Sequence, residues 1–120
     1  MSPSRSVTVK FTNNSGGIVT RSSASLAGGV WTTNQYPPDT ISAGATGSWE
    51  SESDGLWTGT EGTVVYTLPG AAITIYWNNP QVGSNDYSIT IAGAEAASYK
   101  GSHTGGDGNN ATVNFTLAKA

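Results

Sequence analysis

The feature that most constrains this chain is a repeated alternation of apolar and polar residues with period two. In "RSVTVKFTNN", Val7, Val9 and Phe11 fall on one side while Thr8, Lys10 and Thr12 fall on the other, the pattern of a half-buried strand. The alternation returns at residues 45–54, in "TVVYTL" (63–68), "AITIYWNN" (72–79), "YSITIAG" (87–93) and "ATVNFTLA" (111–118). A further strand, "IVTRSSASL" (18–26), has its apolar side diluted by serine. No window sustains a helical period, and the alternating runs are separated by Gly, Asn and Pro turns. About seven short strands of this kind predict an all-β fold, a two-sheet antiparallel β-sandwich forming one domain over residues 1–120. With no repeat at a fixed period, a trefoil or propeller is disfavoured.

The connections are equally informative. "NNSGG" (13–17) supplies residues that tolerate positive φ. "PGA" separates the two strongest strands by too few residues for anything but a hairpin. Pro37 and Pro38 cannot donate to a sheet ladder, which puts "NQYPPDTISAG" at an edge or on a surface crossing. "GSHTGGDGNN" (101–110) reads as a flexible loop.

Charge excludes several classes of partner. Charged residues make up 11% of the chain, the net charge is -3, and the five basic residues (Arg5, Lys10, Arg21, Lys100, Lys119) are scattered. Nucleic acid needs a basic stripe, and anionic lipid needs a polybasic patch. Any membrane contact must therefore recognise a neutral or zwitterionic headgroup, or a receptor. The chain has no cysteine, so no disulfide contributes. Its N-terminus lacks the apolar stretch of a signal peptide, and no apolar run is long enough to span a bilayer. The expectation is a soluble protein made in the cytoplasm.

"WESESDGLWTGTEG" (49–62) crowds Glu50, Glu52, Asp54 and Glu61 beside two tryptophans, a composition reminiscent of sugar-cleaving sites. Glycoside hydrolysis, however, needs two acids facing each other with their pKa values pushed apart. Glu50, Glu52 and Asp54 instead alternate along one strand face, as a solvated surface or a patch that faces a partner would. His103 is the only histidine, so zinc lacks a ligand set, and neither "SESDG" nor "GGDGNN" has EF-hand spacing. There is no G-x-S-x-G elbow and no phosphate loop. No catalytic residue, metal or cofactor is expected.

The aromatics remain. Trp49 and Tyr66 lie mid-strand and are expected in the core. Tyr76 and Trp77 are adjacent on a strand and must point to opposite faces, so one of them covers a surface. Trp57 and Tyr87 lie at turns, where an apolar ring with a polar handle suits a headgroup boundary or a sugar face. Trp57, Trp77, Asn79 and Tyr87 are the candidate contact residues.

The chain as a whole resembles the aegerolysin family, and most closely the small aegerolysin-type component of bacterial two-component insecticidal crystal toxins. The resemblance runs over about residues 4–117, through "SRSVTVKFTNNSG", "LAGGVW", "WESESDGLWTGTEGTVVYTL", "ITIYWNNPQVGSNDY" and "GGDGNNATVNFTL". The co-occurring "S-x-G-x-x-TGTEG-x-x-x-Y" and "NP-x-x-GSN-x-Y" blocks carry most of it, whereas residues 92–105 match only loosely. The resemblance implies a β-sandwich and a small acidic protein that binds membranes through a specific lipid or receptor. It also implies pore formation with a larger β-rich partner and action outside the producing cell, on gut epithelium for the insecticidal members. Target lipid and host range do not carry over, and homo-oligomerisation is left open. The competing expectations are a lectin-like glycan-binding module and, more remotely, a glycosidase.

Overall fold

The computed structural model describes residues 3–120. Ten strands run in chain order: β1 (Ser6–Asn14), β2 (Val19–Gly28), β3 (Val30–Trp31), β4 (Thr40–Ile41), β5 (Thr46–Glu52), β6 (Thr60–Leu68), β7 (Ala71–Asn79), β8 (Asp86–Ala92), β9 (Tyr99–Gly105) and β10 (Asn110–Lys119). They form two five-stranded sheets, ordered β3-β5-β1-β10-β9 and β4-β2-β6-β7-β8. The two-sheet sandwich expected from the alternation is present. All pairings are antiparallel except one: β1 and β10 run parallel, Ser6 opposite Asn110 through Asn14 opposite Ala118.

The alternation works because each strand gives one side to the space between the sheets. Val7, Val9 and Phe11 of β1, Trp49 of β5, and Val113, Phe115 and Leu117 of β10 face Val64, Tyr66, Ile73, Ile75 and Trp77 of the other sheet, all at 0% exposure. The large rings meet at mid-core, with Phe11 and Tyr66 centroids 5.6 Å apart and Trp49 and Trp77 centroids 6.0 Å apart. Burying an aromatic side chain of this kind contributes roughly 1.5–3 kcal/mol.

Three strands go beyond the seven expected. Two are the two-residue strands β3 and β4, at the sheet edges on one side of the sandwich. Residues 32–39 cross between them, which is the surface crossing expected from Pro37 and Pro38. The crossing is tied down by an Arg21–Asp39 ion pair at 3.0 Å and by the Tyr66 hydroxyl donating to the Pro38 carbonyl at 2.7 Å. The third is β9, and it corrects the reading of 101–110 as a loop. Its inward positions are Gly101 and His103, opposite Leu117 and Phe115, so the strand carries no apolar alternation to be read. A Cβ at Gly101 would lie 2.8 Å from the Ile89 side chain, so the small residue is required where the sheets pinch together.

A loop pole with a polar cleft and apolar tips

The connections at one pole of the sandwich hold both motif blocks. The β5–β6 loop (53–59), the β7–β8 loop (80–85) and the β9–β10 loop (106–109) meet there, because Thr60 pairs with Asn79 and Asp86 with Asn78. The "TGTEG" block begins at Thr58. A Cβ on Gly59 would lie 2.5 Å from the Asn79 carbonyl oxygen, and one on Gly62 would lie 2.3 Å from the Trp77 ring. Both glycines are therefore required by packing, and they press the first block against the second.

The second block, "NP-x-x-GSN-x-Y", is braced by its asparagines. The Asn79 amide donates to the carbonyls of Ser6 (3.0 Å), Asn109 (2.9 Å) and Gly108 (3.2 Å), joining the end of β7 to the opposite sheet and to the β9–β10 loop. Asn85 donates to the Gly106 and Gly108 carbonyls at 2.8 and 3.0 Å. The Tyr87 hydroxyl donates to the Gly106 carbonyl at 2.8 Å, while its ring covers Gly106 so closely that a Cβ there would lie 2.3 Å away. Arg5 completes the frame, its guanidinium donating to the Pro80 and Gln81 carbonyls at 3.3 and 3.1 Å. These bonds direct the arginine's donors at the β7–β8 loop backbone.

Between the β7–β8 and β9–β10 loops lies a cleft of about 540 Å³, lined among others by Asn85, Asp86, Tyr87, His103 and Asp107. Its formal charges are the two carboxylates and Arg5. The Tyr87 and His103 rings meet edge to face, centroids 6.3 Å apart. Burial, together with the nearby Asp107 carboxylate, pushes the Tyr87 phenol up from its ordinary pKa against a lowering hydrogen bond from Asn85. A smaller cleft of about 490 Å³ lies beside it, lined by Gly28, Gly29, Asp54, Thr58, Glu61 and Gln81 among others.

Large apolar side chains stand out from the same pole. Leu56 is 75% exposed, Trp57 80% and Val82 87%. Trp57 also holds a φ of 63°, a left-handed conformation that a bulky residue adopts only at a cost of about 1–3 kcal/mol. The Thr58 hydroxyl bonds the Gly55 carbonyl at 2.9 Å and so helps fix that turn.

The expected contact residues separate under this geometry. Trp57 is at the tip and Tyr87 forms a wall of the larger cleft. Trp77 is at 0% exposure in the core, its indole N–H donating to Ser51 Oγ at 2.8 Å. It is Tyr76 that points outward, and its hydroxyl is hydrogen-bonded to Glu61. Asn79, at 1% exposure, spends its amide on backbone carbonyls. Neither Trp77 nor Asn79 can meet a membrane, so both are corrected to structural roles. Glu50 and Glu52 lie on the outer face of β5, where Glu52 accepts from the Thr32 hydroxyl at 2.6 Å. Asp54 lies beyond the end of β5 and lines the smaller cleft instead. Leu56 and Val82 were not singled out in the sequence, where nothing distinguishes a loop leucine that folds inward from one that stands out. Among the described residues no group of three or more His, Cys, Asp or Glu could hold a metal ion.

No protein-family model and no curated protein matches this chain. Among solved structures, the lipid binding protein Nakanori superposes with a TM-score of 0.88 over 98% of this chain and 73% of that one. The two share a fold. At 16% identity, the Nakanori likeness shows the arrangement of strands alone.

Proposed function

We propose that this chain is a membrane-binding protein that docks with the loop pole. The observation that carries this reading is the strained, exposed Trp57, on the same loop pole as the exposed Leu56 and Val82 and as a polar cleft. The apolar tips would enter the boundary between headgroups and acyl chains, where indole is favoured. The cleft would take the headgroup. Two carboxylates and two aromatic rings suit the ammonium of a zwitterionic head, in keeping with a net charge of -3 that offers nothing to anionic lipid. The shared fold with a lipid binding protein supports the same reading.

The motif resemblance to aegerolysins extends the proposal. This chain would be the non-enzymatic membrane-targeting component of a two-component pore-forming, insecticidal toxin, acting outside the producing cell. A larger β-rich partner would be recruited once the loop pole is seated, with Glu50 and Glu52 as the partner-facing patch. Co-sedimentation with phosphatidylcholine, sphingomyelin and gut-derived vesicles tests the first step. Binding that is lost in Trp57→Ala and Leu56→Ala supports it, and failure to bind any vesicle overturns it.

The polar cleft also favours a second reading, a lectin-like module that binds glycans without lysis. Saturable glycan binding that survives Trp57→Ala, without vesicle binding, would select it.

A further inference from the structure

The two sides of the sandwich treat their edges differently. On one side the edge strands β3 and β4 have two residues each, and the proline-containing crossing runs between them. Short strands and covering loops are how sheets avoid pairing with other chains. On the other side the edge strands β8 and β9 have seven residues each, and neither contains proline.

Along β9 the free edge can be assigned atom by atom. The Ala120 N–H donates to the Ser98 carbonyl and the Gly106 N–H to the Thr112 carbonyl. These bonds flank the Tyr99–Lys119 and Gly105–Val113 pairs, which are therefore the non-hydrogen-bonded pairs of the ladder. By alternation, Lys100, Ser102 and Thr104 spend their backbone groups on β10. Gly101, His103 and Gly105 turn theirs outward, and Tyr99 turns out its carbonyl, its N–H being bonded to the Ala96 carbonyl. Residues 100–105 are all exposed, so the outward row is open to another strand.

We propose that β9 is a self-pairing edge through which two copies of this chain join into one continuous ten-stranded sheet. A two-fold axis through Ser102 sets Gly101 opposite His103, so their outward N–H and carbonyl groups meet, and sets the Gly105 N–H opposite the outward Tyr99 carbonyl. The same register places Lys100, the only charged residue of β9, opposite Thr104, and no like charges face each other. Side chains turned toward the inner face are small or flat at the pairing positions, with Gly101 and Gly105 opposite His103 and Tyr99. The contact is isologous and closes at two copies. Because the paired strands run antiparallel, the loop poles of the two copies point in opposite directions, and one flat bilayer engages only one of them.

Ser102 tests the register because its side chain lies on the outer face, opposite its own copy in a closely spaced pair. Sedimentation velocity of the full chain, from micromolar to near-millimolar concentration, is expected to show a monomer–dimer equilibrium. Ser102→Lys and Ser102→Asp are each expected to raise the dissociation constant at least about tenfold, a change of roughly 1.4 kcal/mol, and an equimolar mixture of the two is expected to restore the dimer. Amide exchange followed by NMR provides a second readout: the Gly101 and His103 amides should slow as dimer accumulates. A chain that stays monomeric throughout overturns the proposal. So does a dimer that is indifferent to charge at 102 and leaves those two amides unprotected. Vesicle binding is a separate measurement, and its outcome does not bear on this one.

Discussion

Trp57 shows what a single residue can reveal that neither its type nor its neighbours do. An exposed tryptophan is unremarkable in itself, but one held at φ 63° is retained against a conformational preference. Trp57→Gly removes both the strain and the indole. Its stability in urea is expected to stay within about 1 kcal/mol of the parent, because relief of strain offsets the greater freedom of glycine in the unfolded chain. Vesicle partitioning should fall by about tenfold or more, since transferring such a side chain is worth roughly 1.5–3 kcal/mol. A variant that partitions like the parent would remove Trp57 from the contact. Tyr76 offers a test of a different kind. Its hydrogen bond to the Glu61 carboxylate, with burial and that charge adding to it, pushes the phenol up to about 12 from 10.0. The folded state therefore favours the protonated phenol, and this stabilisation is complete below pH 10 and lost as pH rises from there through 12. Urea midpoints measured from pH 9 to 12 should fall more steeply for the parent than for Tyr76→Phe, so that the gap between them narrows. Parallel slopes would show that the bond does not persist in solution.

Among the elements, the two motif blocks form one object. "TGTEG" needs its glycines because the β7 end and the Trp77 ring lie where side chains would be. "NP-x-x-GSN-x-Y" needs its asparagines because the β9–β10 loop and the start of β1 leave carbonyls that must be bonded. Asn79→Asp would face the carbonyls of Ser6, Gly108 and Asn109 with a carboxylate, and is expected to cost about 2–3 kcal/mol or more. Gly62→Ala drives a methyl into the Trp77 and Leu26 side chains and is expected to cost about 1–3 kcal/mol by overpacking. Denaturant unfolding checks both, and a neutral result at either position would mean that the pole is looser than its bonding implies. These elements also show how legible the site was. Tyr87 and Trp57 stood out because aromatics beside turns are rare and visible. Trp77 and Asn79 did not sort correctly, because adjacent strand residues differ only in which face is inward, and the chain does not mark that face. The strand β9 was missed for a related reason: its inner positions are glycine and histidine, so the alternation that announced the other strands is absent.

At the scale of the molecule, charge and shape divide the labour. With five scattered basic residues against eight acidic ones, membrane binding should be insensitive to added anionic lipid. It should also change little between low and physiological salt. Binding that rises steeply with phosphatidylserine would refute the zwitterionic-headgroup reading. Glu50 and Glu52 lie on the outer face of the opposite sheet from Glu61 and Tyr76. Glu50→Lys combined with Glu52→Lys is therefore expected to leave vesicle binding by this chain alone unchanged. Permeabilisation that depends on a partner protein should fall, and dye release from vesicles reads the difference.

The strand-forming segments and the all-β class were already determined by the sequence, because period-two burial writes itself directly into residue order. The tight hairpin at Pro69–Gly70 and the surface crossing at Pro37–Pro38 were also legible, since proline and glycine restrict or free the backbone locally. Only the tertiary structure decided that β1 and β10 run side by side in parallel. It likewise decided that two distant motifs converge on one pole, that Leu56 and Val82 join Trp57 there, and that one flank keeps long open edges. Each of these depends on which segments meet across the sandwich. That is fixed by the collective packing of both sheets around Trp49, Tyr66 and Trp77, and not by any local run of residues.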